Sequence, residues 1–484
     1  MPLVYGKFYP TGGLAQQSCF ARWDVKLSGF FGAMTHDNYA AVVLAAGMGT
    51  RMGSELPKVL HPIANRPMIG HILTSLGAVS PDRTVVVLSP GMAKVAEVVA
   101  PAETVIQAEA LGTGHAVLAA CDALEGVTHD VLVLFGDTPL LTAETIQNML
   151  SALRGRHKPS VVVLGFRPND PAEYGRLVTG VDGSLEAIVE FQDASNEQQR
   201  LGLCNAGIMA IDGKQLRPLL DAIGNRNAKK EYYLTDIVQI ARKRGLNCWV
   251  VEASDPDEVI GVNNRFDLAK AEAKMQSRLR ENAMAHGVTM TDPSTVWLSA
   301  DTIIGKDVSI APNVFIGPGV TIQDNVEIKS FCHIEQSAIA SGAVIGPFAR
   351  LRPGTMVEKD VQIGNFVEIK AALLEEGSKV NHLTYIGDAR IGRNANIGAG
   401  TITCNYDGFF KERIDVGAGA FVGSNSALVA PVKIGDGAII GAGSVVTREV
   451  DANALAVSRG RQKNIVGWAK SFRKKRQAKK DASQ

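Results

Sequence analysis

Long hydrophobic runs are missing from this 484-residue chain; nothing approaches the ~18 consecutive apolar residues that a membrane span requires. An excess of charge of either sign is missing too. Fifty Lys and Arg stand against forty-nine Asp and Glu, a formal charge of +1 that gives no global argument for nucleic acid or a membrane as partner. The six cysteines, Cys19, Cys121, Cys204, Cys248, Cys332 and Cys404, never fall in a CxxC spacing. Neither a zinc site nor a disulfide framework is therefore signalled, and a reducing cytoplasm fits the usage. Two phosphate-loop signatures are absent as well. No Gly-Lys-Ser/Thr tripeptide marks a Walker loop, and Gly47, Gly49 and Gly53 are spaced G-x-G-x-x-x-G rather than as the dinucleotide-fold G-x-G-x-x-G. The first 33 residues lack the basic start and long apolar core of a signal peptide. Met34 is an alternative start, and residues 1–38 are expected to form an unstructured extension.

The length implies two or three domains, and the chain divides by the period of its apolar residues. From 39 to 263, apolar runs such as YAAVV, RTVVVLS, DVLVLFGD, SVVVLGF, GIMAID and CWVVEA alternate with helix-like stretches such as AETIQNMLSALRGR. That alternation predicts a mainly parallel sheet flanked by helices, a Rossmann-like α/β domain. Residues 264–286 contain no Gly or Pro before Gly287, and Leu268, Ala271, Met275, Leu279 and Ala283 form one narrow apolar stripe. A helix there spans ~35 Å and joins two domains as a strut. From 287 to 468 an aliphatic recurs every six residues: Ile304, Ile310, Ile316, Ile322, Ile328 and Ile334, then Ile339 to Ile369, then Val422 to Val446. This period matches neither helix nor strand and predicts a hexapeptide parallel β-helix, with Gly or Asn at its tight corners. The prism shape suits trimers with clefts between subunits. The basic run FRKKRQAKK lies in the last stretch, 469–484, expected to be a disordered, solvated tail.

LAAGMGTRMGSELPKVLH, Leu44 to His61, follows a buried-strand pattern, where α/β folds hold ligands. Its bare N–H groups, with Arg51 and Lys58, suit a nucleotide triphosphate. The bland reading is a tight turn with solvated basic residues. Asp137, in VLVLFGDTPLL, ends a second buried strand and would lie at the same sheet edge, where a carboxylate suits Mg²⁺; the bland reading is a turn or N-cap Asp. The combination favours the functional reading of both.

These stretches, with QAEALGTGHA, YGR, IVEFQDA, NAGI, EYYLTD and GVNNR, resemble the sugar-1-phosphate nucleotidyltransferase family. More narrowly, residues from about Met34 to Trp468 are similar to the bacterial bifunctional N-acetylglucosamine-1-phosphate uridyltransferase / glucosamine-1-phosphate N-acetyltransferase, with the motifs in family order through both halves. The fold implied is a nucleotidyltransferase domain, a linker helix and a left-handed parallel β-helix. The resemblance implies that Leu44, Ala45, Ala46, Gly47 and Arg51 bind the nucleotide, with Lys58 on its phosphates, and that Gln107, Gly112 and Thr113 read uracil. Asp137 and Asn263 match the Mg²⁺ ligands, while Gly175, Glu190, Asn205 and Asn263 match sugar-binding positions. The expected reaction is in-line attack of the sugar phosphate on the α-phosphorus of UTP, aided by Arg51 and Lys58 and needing no general base. Met48 replaces a basic residue of some relatives, leaving the backbone cradle intact.

In the β-helix, NYDGFFKER interrupts the six-residue count like a looped-out insertion, and such insertions usually lie on a binding face. A lone histidine such as His382 is ordinarily a solvated corner residue, but acetyl transfer to an amine needs a base near neutral pKa. The resemblance assigns that role to His382. It places Arg352 and Lys370 on the sugar phosphate, Tyr385 and Asn396 on the sugar, and Ala399, Asn405, Tyr406, Ser424, Ala442 and Arg459 along acetyl-coenzyme A and its cleft. Ile414 departs from the Thr of many relatives, a change expected to touch the inserted loop. UTP, acetyl-coenzyme A and glucosamine-1-phosphate are the implied small molecules, with a cytoplasmic homotrimer as the assembly. Two rival readings are a nucleotidyltransferase for another sugar phosphate whose β-helix only assembles or regulates, and a non-enzymatic effector-binding trimer. The first leaves Lys370, His382, Tyr385, Asn405 and Arg459 unexplained, the second Arg51, Lys58, Asp137 and Asn263.

Overall fold

The computed structural model describes residues 38–126, 129–227 and 229–482, so the expected N-terminal extension, apart from Asn38, lies outside the described residues. Nine described strands form the first sheet: β1 (Tyr39–Leu44), β2 (Arg83–Leu88), β3 (Glu103–Ile106), β4 (Asp130–Phe135), β5 (Val161–Phe166), β6 (Arg176–Thr179), β7 (Leu185–Val189), β8 (Cys204–Ile211) and β9 (Cys248–Glu252). The order is β9-β5-β8-β4-β1-β2-β3, with β6 and β7 attached beside β8. β1 pairs parallel with both β2 and β4, whereas β8 runs antiparallel between β4 and β5. The apolar run of β1 is continuous because both faces are covered. Tyr39, Ala41 and Val43 pack under the helices Met68–Val79 and Ala143–Leu153, while Ala40, Val42 and Leu44 face Val117 and Ile237 on the other side.

The helix Arg265–Ala285 begins at Asn264, whose side chain accepts from the N–H groups of Phe266 and Asp267. Its apolar stripe serves two cores. Leu268, Ala271 and Met275 pack on Ile63, Met68, Leu140 and Val262, and Leu279 and Ala283 pack on the β-helix interior. Gln276 is buried at the changeover: its Nε2 donates to Leu298 O at 2.7 Å and its Oε1 accepts from Leu298 N–H at 2.9 Å. That amide supplies the exposed edge of the first coil with the partners a neighbouring strand would give.

The remainder is a left-handed β-helix. Ser309 stacks on Glu327, Phe315 on His333 and Ile303 on Thr321, so each coil closes after three six-residue steps and three columns of parallel strands enclose the core. Every sixth residue from Ile310 to Ile334 and, after one five-residue step, from Ile339 to Leu351 points inward and is buried, while Ile304, at the end, is only partly covered. Asp307, Asn313, Asn325, Asn394, Asn425 and Asn453 hold left-handed corners. Residues 405–413 leave the coil between the strands Ile402–Cys404 and Ile414–Val416, closed by a bridge between Tyr406 and Lys411.

Two expectations are corrected. Residues expected in a disordered tail form a helix, Trp468–Asp481; WAKSFRKKRQAKKD has no Gly or Pro, is rich in helix-forming Ala, Lys, Arg and Gln, and starts at left-handed Gly467. Its side chains are exposed, as solvation of the charge requires. Ile414 belongs to the interior rather than the inserted loop: it is fully buried between Ala389 and Val432 in one column. An aliphatic there continues the six-residue stack. Replacing Gln276 by Leu leaves two backbone groups of Leu298 without partners, and it should lower stability by about 1–3 kcal/mol, read as a fall in the thermal midpoint.

Candidate active sites

Both β1 and β4 end at one edge of the sheet, and the loops that follow make the floor of a cleft of about 650 Å³. Gly49 has φ +66° and a Cβ on it would overlap the Lys58 side chain, so glycine lets the loop fold over its own lysine. Lys58 forms an ion pair with Asp137, and its Nζ also lies 3.3 Å from Asn263 Oδ1. Arg51 Nη2 donates to the same Oδ1 at 3.0 Å. Asn263 arrives there because Val262 N–H donates to Asp137 O at 2.9 Å. Four residues far apart in sequence thus become one cluster of two cations, a carboxylate and an amide. Among the described residues no group of three or more His, Cys, Asp or Glu side chains could hold a metal. The two hard oxygens of Asp137 and Asn263 nevertheless fit Mg²⁺, which is usually held by one or two protein groups with phosphates and water completing its shell.

The cleft is lined by Leu44, Ala45, Ala46, Gly47, Lys58, Gln107, Gly112, Thr113, Asp137, Glu190 and Asn205. Gly175 stands just behind Glu190 and Asn205, and its carbonyl accepts from Asn205 N–H at 2.8 Å. Gln107 is buried, with Nε2 3.0 Å from Gly112 O and 3.1 Å from His115 Nδ1. Its carbonyl oxygen is then the amide's remaining hydrogen-bonding group. Gly112 is glycine for a packing reason: with φ +108°, a Cβ would lie 2.7 Å from Tyr232 O. Burial pushes the Glu190 carboxyl above its ordinary pKa, opposed by Lys229 on the cleft wall and reinforced by Asp193 and Asp236.

In the β-helix, two unusually long strands, Gln362–Lys370 and Lys379–Gly387, pair in register. Asn365 lies opposite His382, and its Oδ1 is 2.8 Å from the imidazole Nδ1. Gly400 N–H donates to His382 O, and the next corners carry Ala399, Ser424 and Ala442, with Arg459 Nη1 donating to Ala442 O at 2.8 Å. These residues line successive turns of one corner. At the far end of the face stand Arg352, Lys370, Tyr385 and Asn405. Arg352 donates to Glu368 at 2.8 Å, and Asn405 hydrogen-bonds Asp388. The contact with Lys411 and partial burial hold the Lys370 pKa below the ordinary lysine value, Arg352 adds to this, and Asp388 opposes it. Tyr406 is exposed on the inserted loop, and Asn396 sits in the neighbouring column opposite Lys379. Lys370 is five residues along the strand from Asn365, beyond the left-handed corner at Phe366.

Residues 41–201 match the MobA-like NTP transferase domain, and residues 301–336 and 413–448 match the bacterial transferase hexapeptide. The bifunctional protein GlmU of Paramagnetospirillum magneticum is 58% identical over 447 residues, 92% of this chain and 99% of that protein. That of Rhodospirillum rubrum is 61% identical over 434 residues, 90% and 97% of the two chains. The chain belongs to the bifunctional GlmU family. It is accordingly both a glucosamine-1-phosphate N-acetyltransferase and an N-acetylglucosamine-1-phosphate uridyltransferase, making UDP-N-acetylglucosamine from acetyl-coenzyme A and UTP with Mg²⁺.

Beside the motif residues of the GlmU family, the structure brings in groups that sequence reasoning did not single out. Lys411 lies in the quoted insertion NYDGFFKER, and a basic side chain there was the available signal. Asn365 lies one coil before His382, visible only through the β-helix register. Arg265 donates from Nε to Met52 O at 3.1 Å and from Nη1 to His61 Nδ1 at 3.2 Å, tying the glycine loop to the linker helix; no motif announced it. Because Lys411 is the leading cause of the depressed Lys370 pKa, Lys411→Met should move Lys370 up toward the ordinary value of ~10.4. Carbon-13 NMR of labelled lysines reads that titration directly.

Proposed function

We propose that the two reactions are divided between the two clusters, with the glycine-loop cleft performing uridyl transfer and the β-helix corner acetyl transfer. The carrying observation is the meeting of Arg51, Lys58, Asp137 and Asn263 at one sheet edge. Leu44 to Gly47 cradle the nucleotide with backbone N–H groups. Gln107 offers its carbonyl oxygen to uracil N3–H, and Gly112 and Thr113 border the base. Asp137 and Asn263 hold Mg²⁺, which supplies charge neutralisation for the triphosphate when bound. Glu190, Asn205 and Gly175 seat the sugar. The sugar phosphate, already anionic, attacks the α-phosphorus in line, and Lys58 and Arg51 offset the charge passing to pyrophosphate.

At the β-helix, Asn365 accepts from His382 Nδ1–H, leaving Nε2 free to take the amine proton as the nitrogen attacks the thioester carbonyl; the C–S bond then breaks and the coenzyme A thiolate leaves with that proton. Arg352, Lys370 and Lys411 hold the sugar phosphate with Tyr385 and Asn396, while acetyl-coenzyme A extends along Ala399, Asn405, Tyr406, Ser424, Ala442 and Arg459. The apolar side chains of Phe331, Phe348, Phe366 and Leu383 stand exposed at left-handed corners next to His382, with ring centroids 4.7 and 5.0 Å apart. Such a stripe suits contact with neighbouring copies, and a homotrimer is the proposed assembly. No described helix is long and apolar enough to cross a membrane, and free, mostly buried cysteines suit the cytoplasm as the proposed location.

The test is separation of the activities. His382→Ala should abolish acetyl transfer and keep uridyl transfer from ready-made N-acetylglucosamine-1-phosphate, and Asp137→Asn should do the reverse. Loss of both in a folded oligomer would overturn the division. Glu190 adds a pH signature. Since burial raises its pKa, the carboxylate is lost on acidification earlier than an ordinary glutamate near ~4.3. The KM for the sugar phosphate should therefore climb at the acid end of the profile, and Glu190→Gln should flatten that limb.

A further inference from the structure

Arg176 is 2% exposed, and the described structure gives it no carboxylate partner within ion-pair distance. A buried guanidinium must spend its donors on something. Here four hydrogen bonds run to backbone carbonyls. Nε donates to Gln199 O at 3.3 Å, Nη2 to Ala172 O at 3.0 Å, and Nη1 to Pro171 O at 3.3 Å and to Tyr174 O. The guanidinium carbon also lies 5.4 Å from the centroid of the Phe191 ring.

These partners belong to three separate segments bordering the sugar end of the cleft. The first is the loop 171–174, in which Ala172 holds φ +37° and Glu173 lines the cleft. The second is the short turn of helix Asn196–Gln199, started by a capping box at Ser195. The third is Glu190–Asp193, where Glu190, Phe191, Gln192 and Asp193 all line the cleft. Gln199 Nε2 fastens the second to the third by donating to Phe191 O at 3.3 Å and Ala194 O at 3.2 Å. Arg176 itself does not line the cleft. It begins β6, with Cys204 opposite on β8 and Val189 opposite on β7, so it sits beneath Gly175, Glu190 and Asn205 together.

We infer that Arg176 is a positioning residue for the sugar-phosphate subsite of uridyl transfer: one fork of donors and one cation–π contact tie the loop 171–174 to the Gln199-linked segments that border the sugar. The inference rests on the sugar-subsite reading of Gly175, Glu190 and Asn205. Lysine cannot substitute, because a single ammonium does not reach four carbonyls in a planar fan. The nucleotide end of the cleft, built from the glycine loop and Gln107 to Thr113, makes no contact with this fork and should not respond.

Steady-state uridyl transfer by the full chain, varying N-acetylglucosamine-1-phosphate and UTP separately, tests this. Arg176→Lys should raise the KM for the sugar phosphate by roughly tenfold, since small misplacements away from the chemistry propagate strongly. The KM for UTP and the acetyl-transfer rate should stay unchanged. Equal KM values for both substrates in variant and parent, with only a lower thermal midpoint, would reduce Arg176 to a purely structural residue. If Arg176→Lys does not accumulate as folded protein, Gln199→Ala decides: it loosens Phe191 from the same turn and should give a smaller rise confined to the sugar phosphate, and no such rise overturns the inference. Asn205→Ala is the control for the underlying reading. Failure of that variant to weaken sugar-phosphate binding removes the subsite itself, whereas a response to Asn205→Ala without one to Arg176→Lys removes only the positioning role.

Discussion

Fixed positive charge is gathered in each half of this chain by a rigid framework of paired strands that brings distant cationic side chains to one place. Lys58 and Arg51 converge on Asp137 and Asn263 because the β1–β4 pairing brings two loops to one edge and Val262 is hydrogen-bonded to Asp137. Lys370, Lys411 and Arg352 converge because consecutive coils stack in register and the inserted loop folds back. Asp137 in one cluster and Glu368 and Asp388 in the other offset part of the mutual repulsion, and sheet pairing and the buried aliphatic stack hold the framework that brings the cations together.

The linker helix distributes that support. Its single apolar stripe is shared between two cores, and Gln276 completes the hydrogen bonding of the first β-helix coil. Arg265, at its first turn, reaches the glycine loop through Met52 and the neutral-leaning His61, whose pKa burial and Arg265 hold down. The glycine loop is thus mechanically continuous with the helix that leads into the β-helix.

Periodicity made most of the architecture legible beforehand. A six-residue aliphatic repeat has one compact solution, and β1 reads as doubly buried because both its faces are apolar. The motif residues of the cleft were legible through family resemblance, and the structure brings all but Arg51, Gly175 and Asn263 to the cleft wall itself, with these three immediately behind or beside it. The antiparallel course of β8 was not legible, since GIMAID carries the same apolar signature in either direction. Nor was the helical tail: a charge run without Gly or Pro satisfies the composition rules for disorder and for helix alike.

By itself the sequence determined the periods, the order of the domains and the identity of the groups able to meet phosphate, nucleotide and thioester, because side-chain chemistry and spacing are local properties. Only the tertiary structure decided which of those groups meet. That Gly112 is glycine for Tyr232, that Asn365 orients His382, that Ile414 fills the core and that Arg176 braces three loops at once all depend on contacts between residues distant in sequence. Such contacts follow from strand register and packing, and neither is written in any single stretch of the chain.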